Sequence, residues 1–320
     1  MKNFYKYLMN GKHLSEEGII EEMNKTERLW LTEELLNQET DFSFFREFKN
    51  LNHLEIDSVF DTKRLMSIPF DKLVNLKELI IRNSYVSNLL SLLPNSIEKL
   101  EIRDYDENFI QKQVIGDEIG RFQNLKTLNL ESSNIIEIST KIGELKILQF
   151  LSINVQIDLP KEIKELKIDT LMIRIDYDNP NISFLGKIIT SLKNLKYLIF
   201  FYQNSEGVPE WIFNLRNLEG LIIGIRAIKE IPKEIQNLTN LRELGLMDCK
   251  VTTIPKFITK LKNLESLVFQ ETELNNIPEY IKDLPNLKFL NIICCLNLLF
   301  DEEKMKDIKE MLPNVKILGI

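Results

Sequence analysis

The chain of 320 residues is 44% hydrophobic and 28% charged, which is ample for a large core and incompatible with a disordered chain. Its net charge of −7 argues against a sequence-independent nucleic-acid binder, which needs a basic surface to displace counterions. There is no run of about 18 uncharged apolar residues to cross a membrane and no basic amphipathic helix to lie on one.

The chain opens on MKNFYKYLMNGKHLSEEG, whose apolar residues are interrupted by Lys6, Asn10, Gly11 and Lys12. That leaves no continuous apolar region of a signal peptide. SEEGIIEEMNK predicts a short helix with Ser15 as N-cap and Glu16 and Glu17 in the first turn, where they complement the helix dipole. Ile19, Ile20 and Met23 give it one apolar side. Residues 1–25 therefore read as a helical cap, and residues 26–320 as one repetitive domain.

From there the segment Leu-x-x-Leu-x-Leu recurs, with Ile, Val or Phe allowed. It starts at Leu51, Leu76, Ile97, Leu125, Leu148, Ile168, Leu195, Leu218, Leu241, Leu264, Leu287 and Val315, with a degenerate copy from Thr26. A fixed period of roughly 20 to 50 residues is the signature of a solenoid. The repeat is most regular from Leu195 to Leu287, where every interval is 23 residues. LEGLIIGIRAIKEIPKEIQNLTN and LRELGLMDCKVTTIPKFITKLKN, from Leu218 to Asn263, align without a gap. Alternation at Leu221 and Ile223 puts both on one face of a short strand. Pro232, Pro255 and Pro278 are expected at the first position of a helix, where a missing N–H costs nothing. Asn precedes the first position in nine of the twelve clear repeats, and we expect it in the left-handed conformation that ends a helix. Two repeats are long, through RDYDENFIQKQ and RIDYDNPNISF, and these inserts should bulge from one rim. Near the end, DEEKMKDIKEML predicts a full helix and VKILGI a last strand, whose free edge is expected either to be shielded by the helix at Asp301–Leu312 or to be open to self-association with another copy.

These segments, with Ile-Pro-x-x-Ile-x-x-Leu-x-Asn, resemble the leucine-rich-repeat family in its 23-residue intracellular, bacterial-type form. The resemblance covers about residues 26–320, or 12 to 13 repeats in a single solenoid. It implies an α/β fold: a right-handed horseshoe with a parallel sheet on the concave face and short helices or 3-10 turns on the convex face. It also implies a protein partner. Secreted members usually carry disulfide-bonded caps, which Cys249, Cys294 and Cys295 do not provide, so the expected location is cytoplasmic. Cys249 and Cys295 fall at the ninth repeat position, with Ser133 and Thr272 at the same place in other repeats. The family uses that position to satisfy backbone groups in the turn after the strand.

Catalytic signals are weak. The two histidines are His13 and His53. His53, Glu55 and Asp57 alternate on one strand, yet no nucleophile or second ligand stands near. A charged, wet strand face is the better reading. Asp176, Asp178, Asn179 and Asn181 lack the glycine and the late bidentate Glu of a calcium loop and read as a turn-forming insert. No metal or cofactor is expected, and the chain reads as a non-enzyme.

The repeat leaves free the third, fifth, seventh and eighth positions of each strand, which the resemblance places on the concave face. They are charged early: His53, Glu55 and Asp57; Glu78 and Arg82; Lys99, Glu101, Arg103 and Asp104. They turn apolar and aromatic in the middle, at Phe150, Met172, Tyr197, Ile199, Phe201, Tyr202, Ile222 and Ile225, with Val155 and Ile175 beside them. Large exposed apolar patches mark interaction sites. Gly220 and Gly224 inside the patch should leave room for an incoming side chain, unless the Asp176–Asn181 insert folds over it. A second aromatic row, Trp211, Phe257 and Tyr280, should pack between repeats on the convex side. The resulting reading is a scaffold or adaptor that binds a protein on this face. An inhibitor or immunity protein that blocks a partner enzyme or toxin is the alternative.

Overall fold

A computed structural model describes residues 15–32, 42–57, 62–82, 88–103, 112–132, 134–154, 159–175 and 181–319. The chain forms two compact units, one ending at Leu166 and one beginning at Lys167.

In the first unit the helix Glu16–Lys25 starts where Ser15 accepts a hydrogen bond from the Gly18 amide at 3.2 Å, and its Met23 is buried. Six parallel strands follow: β1 (Arg28–Leu31), β2 (His53–Asp57), β3 (Glu78–Arg82), β4 (Lys99–Arg103), β6 (Thr127–Glu131) and β8 (Phe150–Asn154), paired in that order. Two shorter strands, β5 (Gln113–Ile115) and β7 (Ile135–Ile138), pair with each other in a second parallel sheet. The inward residues Leu54, Ile56, Leu79, Leu100, Ile102, Leu128 and Leu130 are almost wholly buried.

In the second unit β9 (Thr170–Ile175), β10 (Tyr197–Tyr202), β11 (Gly220–Gly224), β12 (Glu243–Cys249), β13 (Ser266–Thr272), β14 (Phe289–Asn291) and β15 (Lys316–Leu318) pair in sequence, all parallel. Between most of them the chain returns through five-residue 3-10 turns such as Lys233–Asn237 and Lys256–Lys260. The exceptions include the helix Ile182–Thr190, which buries Leu185, Ile188 and Ile189. Gly186 lets it sit close to Trp211, because a Cβ there would lie 2.5 Å from the indole. The helix expected near the end spans Glu302–Met311, capped by Asp301 accepting from the Lys304 amide at 3.0 Å. It precedes β15, whose partner is β14.

Two expectations about the turns are corrected. Pro232, Pro255 and Pro278 occupy the N-cap, one residue before the first helical position. The Pro232 carbonyl accepts the Ile235 amide at 3.2 Å, so the fixed φ of proline starts a 3-10 turn rather than an α-helix. The recurrent Asn is not left-handed, since no asparagine among the described residues has positive φ. Instead Asn50, Asn75, Asn124, Asn240, Asn263 and Asn286 each donate from Nδ2 to a backbone carbonyl of the preceding repeat, at 2.6–3.1 Å. The residue satisfies a carbonyl that the turn leaves open. Tyr280 likewise donates its hydroxyl to the Ile254 carbonyl, as packing between repeats requires.

The eighth repeat position behaves in two ways. In β9, β10 and the stretch after β11 it keeps the strand alternation, and Ile175, Tyr202 and Ile225 point inward. In the next three repeats it takes positive φ, at Asp248 (45°), Glu271 (53°) and Cys294 (58°). The turn sends the eighth side chain out and brings Cys249, Thr272 and Cys295 into the core. Burying an apolar Ile or Tyr stabilises, while burying a carboxylate does not. The left-handed turn costs roughly 1–2 kcal/mol for a residue with a Cβ. Glu271→Gly should therefore raise the denaturation midpoint, by up to about 1 kcal/mol once glycine's larger unfolded-state entropy is subtracted. Val268→Gly on the same strand should lower it. Equal losses at both positions would contradict the account.

Candidate functional site

The two units present different open sheet faces. On the first, the charged residues satisfy one another. His53 is 7% exposed, with Nδ1 2.8 Å from Glu78 and Nε2 3.5 Å from Arg28. A ring that donates from Nδ1 to the carboxylate can accept at Nε2 from the guanidinium. The histidine is thus buried and held in place, not part of a wet face as expected. Arg82 pairs with Glu55. Glu101, 6% exposed, lies 2.8 Å from Lys99 and 2.7 Å from Arg103. Ser152 donates to Glu131 at 3.1 Å. Phe150 stands half-buried at the start of β8, on this unit. Trp30, exposed on β1, is a residue the repeat pattern does not single out, because the degenerate first repeat is marked only by Leu29 and Leu31.

On the second unit the register builds three rows across β9 to β13. One row is Thr170, Tyr197, Gly220, Glu243 and Ser266. The next is Met172, Ile199, Ile222, Gly245 and Val268, and the third Arg174, Phe201, Gly224, Met247 and Gln270. With strands about 4.8 Å apart, Met172, Tyr197, Ile199, Phe201, Ile222 and Met247 form one apolar surface. Tyr197 is 37% exposed and the others are half-buried.

Two of the residues expected there do not belong to the surface. Ile225 is 0% exposed and Tyr202 9%. Both sit at the eighth position and follow the alternation inward, where Tyr202 meets Phe200 edge-on with ring centroids 6.3 Å apart.

The glycines also act differently than expected. A Cβ on Gly220 would lie 2.5 Å from the Tyr197 ring, and one on Gly224 would collide with the Phe201 ring. A Cβ on Gly245 would lie 3.0 Å from Ile222. The room beside each glycine is already filled by the large side chain one strand back. Tyr197, Phe201 and Ile222 all lean the same way and lie low over the sheet, so the face is a floor of pinned side chains rather than a set of holes. Arg174 completes it, its guanidinium carbon 4.7 Å from the Phe201 ring centroid, within cation–π range. A search for apolar positions passes over Arg174 because it is charged, and Met247 stands one strand beyond the cluster it marks. The same alternation that selects Met172 and Ile222 places both on this face. The Asp176–Asn181 insert, except Asn181, and Asp104, Ser133 and Val155 lie outside the described residues.

Beside the left-handed residues a depression of about 580 Å³ is lined by Arg226, Asp248, Glu271, Cys294 and Leu296, among others. Arg226 lies 3.7 Å from Asp248 there, so its charges partly cancel. All three cysteines are free thiols, and burial pushes the Cys249 thiol up to about 11, far from a reactive thiolate. Among the described residues no group of three or more His, Cys, Asp or Glu could hold a metal. No helix there is long and apolar enough to cross a membrane.

Comparison with known proteins agrees with this architecture. Residues 178–318 match the family model described as a leucine-rich repeat region. No curated protein matches the sequence. Among solved structures, the chain is similar to an internalin from Listeria monocytogenes, with a TM-score of 0.51 and 18% identity over 99% of this chain and 94% of that one. It also matches a leucine-rich-repeat protein of Leptospira interrogans, with a TM-score of 0.35 and 19% identity over 95% and 98% of the two chains. A third match is the ectodomain of a plant membrane receptor kinase from Arabidopsis thaliana, solved in complex with Casparian strip integrity factor 2. There the TM-score is 0.39 and identity is 17% over 78% of this chain and 40% of that one. At 18% identity the likeness to the internalin is one of fold. Strand, turn and return repeat through both units on the Leu-x-x-Leu-x-Leu pattern, so the fold is that of a leucine-rich-repeat solenoid, and residues 178–318 match that family.

Proposed function

We propose that the protein is a non-enzymatic binding module, a scaffold or adaptor in a reducing cytoplasm, whose protein partner docks on the open face of β9 to β12. Proteins of this fold generally mediate protein–protein interaction. The observation that carries the reading is the contiguous surface of Met172, Tyr197, Ile199, Phe201, Ile222 and Met247. Aromatic residues supply large contact area at low entropic cost, and here the neighbouring glycines hold them down before a partner arrives. Such preorganisation removes part of the ordering cost of binding. The three free thiols support a reducing compartment.

The test is affinity capture from native lysate, with the wild type beside a Tyr197→Asp, Phe201→Asp double variant. Both side chains lie on the open face, so the variant should keep its circular dichroism spectrum. Two carboxylates in the apolar floor should cost about 100-fold or more in affinity, enough to lose the captured protein. A folded variant that captures the same protein equally well would remove the site from this face.

A further inference from the structure

Arg174 departs from how this chain treats cations on its other open face. There Arg82 pairs with Glu55, and Lys99 and Arg103 both pair with Glu101. Arg174 has no carboxylate partner among the described residues; its contact is the Phe201 ring at 4.7 Å. Its strand neighbour at the same level is Phe201, followed by Gly224 and Met247. On β9, Thr170 and Met172 are the other outward residues. Among the described residues of β9 to β12, the neighbours of the guanidinium are therefore apolar or uncharged.

We propose, on the basis of the binding face assigned above, that the partner presents a short acidic segment to it. An Asp or Glu of that segment would pair with Arg174, and an apolar or aromatic side chain beside it would lie on Tyr197, Ile199 and Ile222. The chemistry follows from the geometry. A guanidinium stacked on a ring keeps its in-plane N–H donors free, and their fork matches a carboxylate. Stacking fixes the long side chain in advance, so less freedom is lost when the pair forms. Apolar neighbours exclude water from the pair and strengthen it. Along an extended segment, alternate residues on one face are about 7 Å apart, which places an acidic residue and an apolar one two positions away over two of the rows. The chain's net charge of −7 works against an acidic ligand at long range, so attraction must come from this one local cation and be sensitive to salt.

A random peptide library displayed on phage, selected on the immobilised full chain, tests this. The wild type should enrich peptides with Asp or Glu within two residues of Phe, Leu, Tyr or Trp. Folded Arg174→Gln should keep the apolar preference and lose the acidic one. A synthetic peptide from the wild-type selection should bind Arg174→Gln about tenfold or more weakly, as expected for a lost hydrogen bond to a charged group, and Arg174→Lys should fall between. The same acidic preference on Arg174→Gln, no acidic preference on the wild type, or a preference for basic peptides would overturn the proposal and leave the binding face standing. If the wild type enriches nothing beyond what the Tyr197→Asp, Phe201→Asp variant does, the binding face itself fails and this inference goes with it.

Discussion

Phe200→Ala is expected to destabilise the second unit by about 3–5 kcal/mol, whereas Phe201→Ala, one residue on, should cost about 1 kcal/mol. Phe200 is 0% exposed and packs edge-on against Trp211 at 5.5 Å and Tyr202 at 6.3 Å. Truncation would leave a cavity between two rings that the return turn Glu210–Asn214 and the strand hold in place. Little of that volume can collapse, so the cost belongs at the upper end. Phe201 is half-buried and loses its contact with Arg174 and the cover over Gly224, contributions of roughly a few tenths to one kcal/mol. In a repeat array each repeat leans on its neighbours. The Phe200→Ala loss should therefore appear as a lower urea midpoint, and a split or broadened transition would show that cooperativity is lost as well. Binding should respond in reverse order. Phe201→Ala should weaken capture in a stable protein, while Phe200→Ala should bind normally below its unfolding midpoint. Similar midpoints for the two variants would mean that the inward and outward positions of β10 had been confused.

That reversal at adjacent residues is legible in the amino-acid pattern, because strand alternation has a period of two. Leu198 and Phe200 inward, Tyr197, Ile199 and Phe201 outward, follow from Leu-x-x-Leu-x-Leu alone. What the pattern hides lies where the strand ends. The eighth position goes inward at Tyr202 and Ile225 but outward at Asp248, Glu271 and Cys294, a choice that follows the gain from burial at Tyr202, Ile225, Asp248 and Glu271, while at Cys294 the next residue, Cys295, takes the core place. A fixed repeat template assigns all five the same way. The glycines mislead for a related reason. Gly220 and Gly224 look like gaps when each strand is read singly, and only pairing with β10 shows the rings that fill them. The strands β5 and β7 escape the pattern because they lie beyond the Leu-x-x-Leu-x-Leu segments of their repeats, which mark only the strands of the main sheet. Arg174 escapes it because a search for apolar patches discards charges, although its stem and its stacked head belong to that surface.

Glu101→Ala is expected to cost the first unit about 1–3 kcal/mol, while Lys99→Ala should cost a few tenths. The two residues form one ion pair at 2.8 Å, yet they are not equivalent. Glu101 is 6% exposed and lies between Ile80 and Asn129, both buried, on the neighbouring strands. It serves Lys99 and Arg103 together. Removing it leaves two cations facing each other across the vacated place, only one of which has Glu131, at 3.9 Å, to turn to. Removing Lys99 leaves Glu101 with Arg103, and the solvent that already reaches the lysine fills in. The asymmetry is measured by urea midpoints of the two variants, and the loss in Glu101→Ala should shrink little with added salt because its carboxylate is out of water. Equal effects would mean that the pair behaves as a surface bridge. The same variant also separates the roles of the two faces. Charges that are already satisfied internally offer a partner little, since each must be unpaired before it can be used. Glu101→Ala should therefore leave capture by the β9 to β12 face unchanged, and a loss of capture in a folded Glu101→Ala protein would bring the charged face into the binding surface.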